Sequence, residues 1–181
     1  MSYAKLLELA GEQHGYFQTQ QAEALGFSRR ALLHRARIGE LQHSRYGLWR
    51  LAMWPLGPND ELYALQAMAP FATFSHETAL ALLGLGDLIP SEIHMTIPES
   101  SRMTSRPGLR LHRSRSGADR EQILRDGLQI SPPARALKDA AKAGSDPDHL
   151  QRAAKEAKLR GLLDGDDLRH LRSDPTYAAI L

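Results

Sequence analysis

The run from Ser28 to Arg37, Ser-Arg-Arg-Ala-Leu-Leu-His-Arg-Ala-Arg, is the densest group of side chains in the chain suited to a chemical task. Wound as an α-helix at about 100° per residue, Arg29, Leu33, Arg37, Arg30 and His34 fall within one arc of roughly 140°. Leu32 and Ala36 fall on the other side, and Arg35 lies nearer that side than the basic one. A DNA major groove admits one helix, and guanine presents O6 and N7 to a bidentate guanidinium. Ser28 and the first turn would lie nearest the bases, with Leu33 placed to meet a thymine methyl. An Arg-rich face alone is more often a solvated face, so the surrounding elements must decide between the two.

Other residue sets invite chemistry and are set aside. His76-Glu77 resembles half of a zinc-protease helix, but Leu80 stands where the second histidine belongs. Ser75 as a helix cap and Glu77 at the positive helix end account for that run. His94 and His112 fall on candidate strands and can pair across them, with His76 near. A metal centre needs a third ligand at fixed geometry, and isolated polar histidines are the simpler reading. Asp164-Gly165-Asp166-Asp167 lacks the rest of a calcium loop and reads as a helix cap. The expectation is therefore no enzyme, no catalytic residue, no cofactor and no metal. Arg102, Arg106, Arg110, Arg113 and Arg115 form a basic stretch, and Arg110, Arg113 and Arg115 make a candidate second nucleic-acid surface.

The elements around the basic helix are the informative part. Ser2 caps a first helix over about 3–13, and Gly15-Tyr16-Phe17 is a short extended link. Thr19 caps a second helix, about 20–25, whose first amides at Thr19 and Gln20 can hold a phosphate. Gly26 ends that helix, Phe27 plugs the turn, and Ser28 caps the third, closed by Gly39. Two short helices joined by a glycine turn are a helix-turn-helix. Strand candidates 41–44 and 48–51 follow, joined at Arg45-Tyr46-Gly47, a hairpin wing whose tip suits phosphate or minor-groove contact.

Two prolines and a glycine between Pro55 and Pro58 break regular structure, which places a domain boundary at 55/56. Beyond it the pattern predicts helices over about 59–69, 76–83, 133–143 and 147–160, with a last one from Asp166. Strands are predicted over 93–97, 109–112 and 127–130. The fold class is α+β: an N-terminal winged helix-turn-helix, then a small mixed sheet packed with several helices.

Charge is distributed rather than extreme. The net is +2, but residues 1–55 hold seven Lys/Arg against four Asp/Glu, 56–90 hold four acids and no Lys or Arg, and 91–120 hold six Arg against three acids. Local charge of this kind suits phosphate recognition. The chain has no cysteine, which excludes disulfides and thiolate metal sites. No signal-peptide layout or membrane-length apolar run is present, so a cytoplasmic protein is expected.

The run Tyr16-Phe17-Gln18-Thr19-Gln20-Gln21-Ala22, then Gly26-Phe27-Ser28-Arg29, Gly39-Glu40-Leu41 and Arg45 to Leu51, resembles the N-terminal domain of AbiEi-type antitoxins of bacterial type IV toxin–antitoxin systems. Phe74-Ser75-His76-Glu77-Thr78-Ala79-Leu80, Gly84-Leu85, Ile93 to Pro98 and Ile130 to Asp139 resemble that family's C-terminal domain. The resemblance implies a winged helix that represses its own promoter and a second domain that counters a nucleotidyltransferase-like toxin. It implies no stable complex between the two. A solitary regulator, or a protein-interaction module without a toxin partner, is the competing reading.

Overall fold

The computed structural model describes residues 2–45, 47–115, 121–174 and 177. They form two compact units, Met1–Pro70 with Asp126–Leu128, and Phe71–Arg125 with Gln129–Leu181.

In the first unit, the Ser2 side chain accepts from the Lys5 amide and starts α1 (Tyr3–Glu12), which buries Leu6 and Ala10. The link at residues 16–18 is itself a strand, β1 (Tyr16–Gln18), paired antiparallel with β3 (Leu48–Leu51). The other side of β3 pairs with β2 (Leu41–Arg45), giving a three-stranded sheet in the order β1-β3-β2. The middle strand is buried at all four positions. Between β1 and β2 run α2 (Thr19–Ala24) and α3 (Arg29–Arg37). Thr19 is the first residue of α2 and Gln18 its cap, not Thr19 as expected. The Gln21 side chain reaches back to accept from the Gln18 amide at 2.7 Å, the return bond of a capping box. Gly26 at φ +86° and Gly39 at φ +80° leave α2 and α3 through the left-handed region, which favours glycine.

One core holds these parts together. Leu6 and Ala10 of α1, Phe17, Ala22, Phe27, Leu32, Leu41, Trp49 and Leu51 pack as a single buried cluster. Each large member removed from water contributes about 1.5–3 kcal/mol. The helices and the sheet are thus joined by apolar side chains that the 3.6 and 2.0 periodicities turn inward.

The proline-rich break does not end this unit. Past it, α4 (Asp60–Met68) places Ala64 and Ala67 against Tyr16 and Leu48. The first unit therefore extends to Pro70, beyond the 55/56 boundary that the prolines suggested. A polar tie accompanies the packing. The Tyr16 hydroxyl donates to Asp60 Oδ2 at 2.6 Å, and burial together with this carboxylate pushes the phenol pKa up. Arg50, only 5 % exposed, donates to Gln42 Oε1 at 2.9 Å and to the Trp54 carbonyl, with Asp60 Oδ1 at 3.9 Å from its Nε.

The second unit holds a five-stranded sheet in the order β6-β5-β4-β8-β7. Its strands are β4 (Thr73–Phe74), β5 (Ile93–Pro98), β6 (Leu109–Ser114), β7 (Ile123–Arg125) and β8 (Leu128–Ile130). The sheet is mixed: β4 runs antiparallel to β5 and parallel to β8, and β5 runs parallel to β6. The helices are α5 (His76–Leu82), α6 (Pro133–Lys142), α7 (Pro147–Leu159) and α8 (Gly165–Ser173), with α6 packed against the other three. The expected α+β class holds, with β4 and β7 added; at two and three residues they are too short to show a period. Asp164 and Asp167 cap α8 reciprocally, as expected, each side chain accepting the other's amide. No helix among the described residues is long and apolar enough to cross a membrane.

Replacing Asp60 with Ala removes the acceptor of the Tyr16 hydroxyl and the carboxylate facing buried Arg50. A loss of about 2 kcal/mol is expected. Both tryptophans, Trp49 and Trp54, lie in the first unit, so urea unfolding followed by tryptophan fluorescence measures it directly.

Candidate nucleic-acid interface

The basic helix forms as its sequence requires. Ser28, in extended backbone, accepts from the Ala31 amide at 3.2 Å and starts α3. Leu32 is fully buried and anchors the helix, while Arg29, Arg30, His34 and Arg37 are exposed. Leu33 shares that outer face and is 48 % exposed. Arg35 points elsewhere: its guanidinium stacks 3.9 Å over the Tyr3 ring and pairs with Glu40. Among the described residues, no ion pair engages Arg29, Arg30 or Arg37. One helix therefore carries a structural arginine and three whose charge is turned to solvent.

The wing is tied to the helices through Thr19. Its hydroxyl accepts from Trp49 Nε1 at 2.8 Å and donates to the Gly47 carbonyl at 2.9 Å, and its amide donates to the same carbonyl at 2.8 Å. Thr19 thus fastens the hairpin, and its polar groups are occupied within the unit. Gln20 beside it is exposed. Arg45, at the end of β2, pairs with Glu61 at 2.7 Å. Tyr46, expected at the wing tip with Arg45, lies outside the described residues.

The second basic stretch is spent largely inside its own unit. Arg113 donates to the carbonyls of Glu99, Ser101 and Met103 at 3.1, 2.6 and 2.8 Å. It thereby holds the segment that carries the chain from β5 back to the start of parallel β6. Arg115 pairs with Glu99 at 2.6 Å, and Arg110 lies 3.8 Å from Glu92.

Three histidines set apart in sequence meet in the second unit. His94 Nδ1 lies 3.1 Å from His112 Nε2, and the His76 ring stacks on His112 at 3.6 Å between centroids. Ser75 does not cap α5 through its side chain. Its hydroxyl lies 2.9 Å from His76 Nδ1 and accepts from Thr96 at 2.9 Å. Burial is the first cause that lowers all three imidazole pKa values, His76 to about 3 and His112 to about 4, with the neighbouring histidines adding to it in both. The sequence placed His94 and His112 on candidate strands with His76 near, but favoured isolated histidines; the parallel β5–β6 register brings them together.

Residues 4–52 match the model of a family described as "Transcriptional regulator, AbiEi antitoxin". No curated protein matches the sequence. Among solved structures, the RV2827C protein from Mycobacterium tuberculosis is similar, with a TM-score of 0.56 and 19% identity, covering 92% of this chain and 69% of that one. At that identity the likeness speaks to the fold, and it extends over both units. The family match covers α1 through β3, the elements that present the basic face of α3.

Substituting Thr19 with Val keeps the shape and removes both hydroxyl bonds, leaving the buried indole N–H of Trp49 unpaired. The expected cost is about 1–3 kcal/mol, read as a lower urea midpoint by tryptophan fluorescence. The exposed change Gln20→Ala is expected to shift stability by less than about 0.5 kcal/mol in the same measurement.

Proposed function

We propose that this protein is a DNA-binding transcriptional autorepressor whose first unit reads its own promoter, and that its second unit supplies the antitoxin activity against a nucleotidyltransferase-like toxin. The observation that carries the DNA reading is the outer face of α3. It presents Arg29, Arg30, His34 and Arg37 around an exposed leucine, on a helix whose opposite side is locked into the core. A helix that is rigid on one side and cationic on the other meets the two demands of groove recognition, fixed register and bidentate donors. The match of residues 4–52 to a family of transcriptional regulators supports the same reading. The antitoxin role rests on that family's description and on the resemblance of the second unit, and it needs no stable complex with the toxin.

Binding is expected to weaken steeply with salt, because each phosphate neutralised releases counterion. Changing Arg29 and Arg30 together to Ala is expected to cost about 1–3 kcal/mol for each base that an arginine reads, and to relax sequence preference. Fluorescence anisotropy on the DNA upstream of the protein's own gene, against a scrambled fragment, measures both. Equal affinity of the wild type and the double variant for that fragment would remove α3 as the reading helix. Co-expression with a neighbouring nucleotidyltransferase-like reading frame tests the second role, with restored growth as the expected result.

A further inference from the structure

The second unit contains a constellation that DNA recognition does not use. His94 on β5 and His112 on parallel β6 are brought to one face because their register pairs His94 with Arg110 and Thr96 with His112. Residues two apart on a strand share a face, so His94, Thr96, Arg110 and His112 all project together. The third member comes from another direction. His76 opens α5 just after β4, with its backbone in the left-handed region at φ +53°. A non-glycine residue held there stores about 1–3 kcal/mol and persists only where the surroundings enforce it; such strain concentrates at functional sites.

We propose that His76, His94 and His112 are the protein ligands of a divalent transition-metal site of the zinc class, with a fourth position open to the adjoining cleft. Ligand-capable atoms of the three side chains all lie within 4.8 Å of one another. Metal–nitrogen bonds of about 2.0–2.1 Å in a tetrahedral arrangement put ligand nitrogens roughly 3.3 Å apart. The 3.1 Å between His94 Nδ1 and His112 Nε2 is close to that spacing. With a proton on Nδ1, His76 donates to Ser75 Oγ and presents a bare Nε2 lone pair. Thr96 in turn donates to the same hydroxyl, and such a hydrogen-bonded partner fixes the tautomer and orientation of a ligating histidine. Completing the site requires the His76 ring to tilt off its stacking contact with His112, a rotation about a soft sp³–sp² bond.

Beside His76 and His112 lies a cleft of about 400 Å³ lined also by Arg110, Ser114, Arg135 and Lys142. The charge of Arg135 is offset by Asp139 at 2.8 Å and that of Arg110 by Glu92 at 3.8 Å, so the cleft admits a cation at its histidine end and an oxyanion at its basic one. His112 is partly exposed on this side and marks the entry path. Water or an anionic oxygen from the cleft is the natural fourth ligand, the layout of a site that acts on or senses what binds there.

The test uses the full chain, stripped with a chelator, dialysed and titrated with Zn²⁺ by calorimetry and with Co²⁺ by visible absorption. One equivalent is expected, with the ligand-field bands of tetrahedral cobalt. His94→Gln and His112→Gln are each expected to weaken binding by about tenfold or more, while His170→Gln, at an exposed position of α8, leaves it unchanged. Far-UV circular dichroism confirms that the variants fold. Should either fail to fold, Ser75→Ala serves in its place, with a smaller loss expected. Absence of saturable uptake at micromolar metal overturns the proposal, as does binding that the His94 and His112 variants share with the wild type. Operator binding resides in the first unit, so either result leaves the promoter experiment independent.

Discussion

The hydrogen bond from the Trp49 indole to the Thr19 hydroxyl is the contact on which the first unit is organised. Trp49 sits on the central strand of the wing sheet and in the middle of the helical core, so it links the strands to the helices from α1 to α3. A buried indole must place its N–H on an acceptor. Thr19 supplies it while reaching Gly47 at the base of the hairpin turn. Together with the apolar core, that residue ties the wing to the helices. Because α3 is anchored through Leu32 in the same core, its basic face inherits a fixed direction relative to the wing.

The role of charge in this unit is divided. Arg35, Arg45 and Arg50 are committed to Glu40, Glu61 and Asp60 and hold the fold, whereas Arg29, Arg30 and Arg37 have no ion pair among the described residues. A count of arginines does not separate these roles. Position on the helix and distance to the nearest carboxylate do. The same division recurs in the second unit, where Arg113 is taken up by three backbone carbonyls of the β5–β6 connection.

The second unit is organised by strand register. A parallel β5–β6 pair with Thr96 opposite His112 forces His94 and His112 onto one face, and the strained backbone at His76 brings a third imidazole over them. Burial lowers the pKa of all three, at the edge of a basic cleft.

Local signals determined much of this protein. Serine and glycine positions marked the ends of α1 and α3, glycine closed α2, the apolar period identified the buried faces, and the wheel of α3 placed Arg29, Arg30, Leu33, His34 and Arg37 together, because capping, turn chemistry and periodicity act within a few residues. The winged helix and the α+β class were legible for that reason, as was the run Asp164 to Asp167 as the cap of the last helix. Tertiary structure alone decided the rest. Docking of α4 through Ala64, Ala67 and Asp60 carried the first unit past the proline break. The hydroxyls of Thr19 and Ser75, both expected as caps, were drawn to Trp49 and His76. The meeting of His76, His94 and His112 depended on a parallel register and on one residue held at positive φ. Each of these outcomes joins residues distant along the chain or held by distant neighbours, and no local preference specifies which partner a polar group finds once the core has closed.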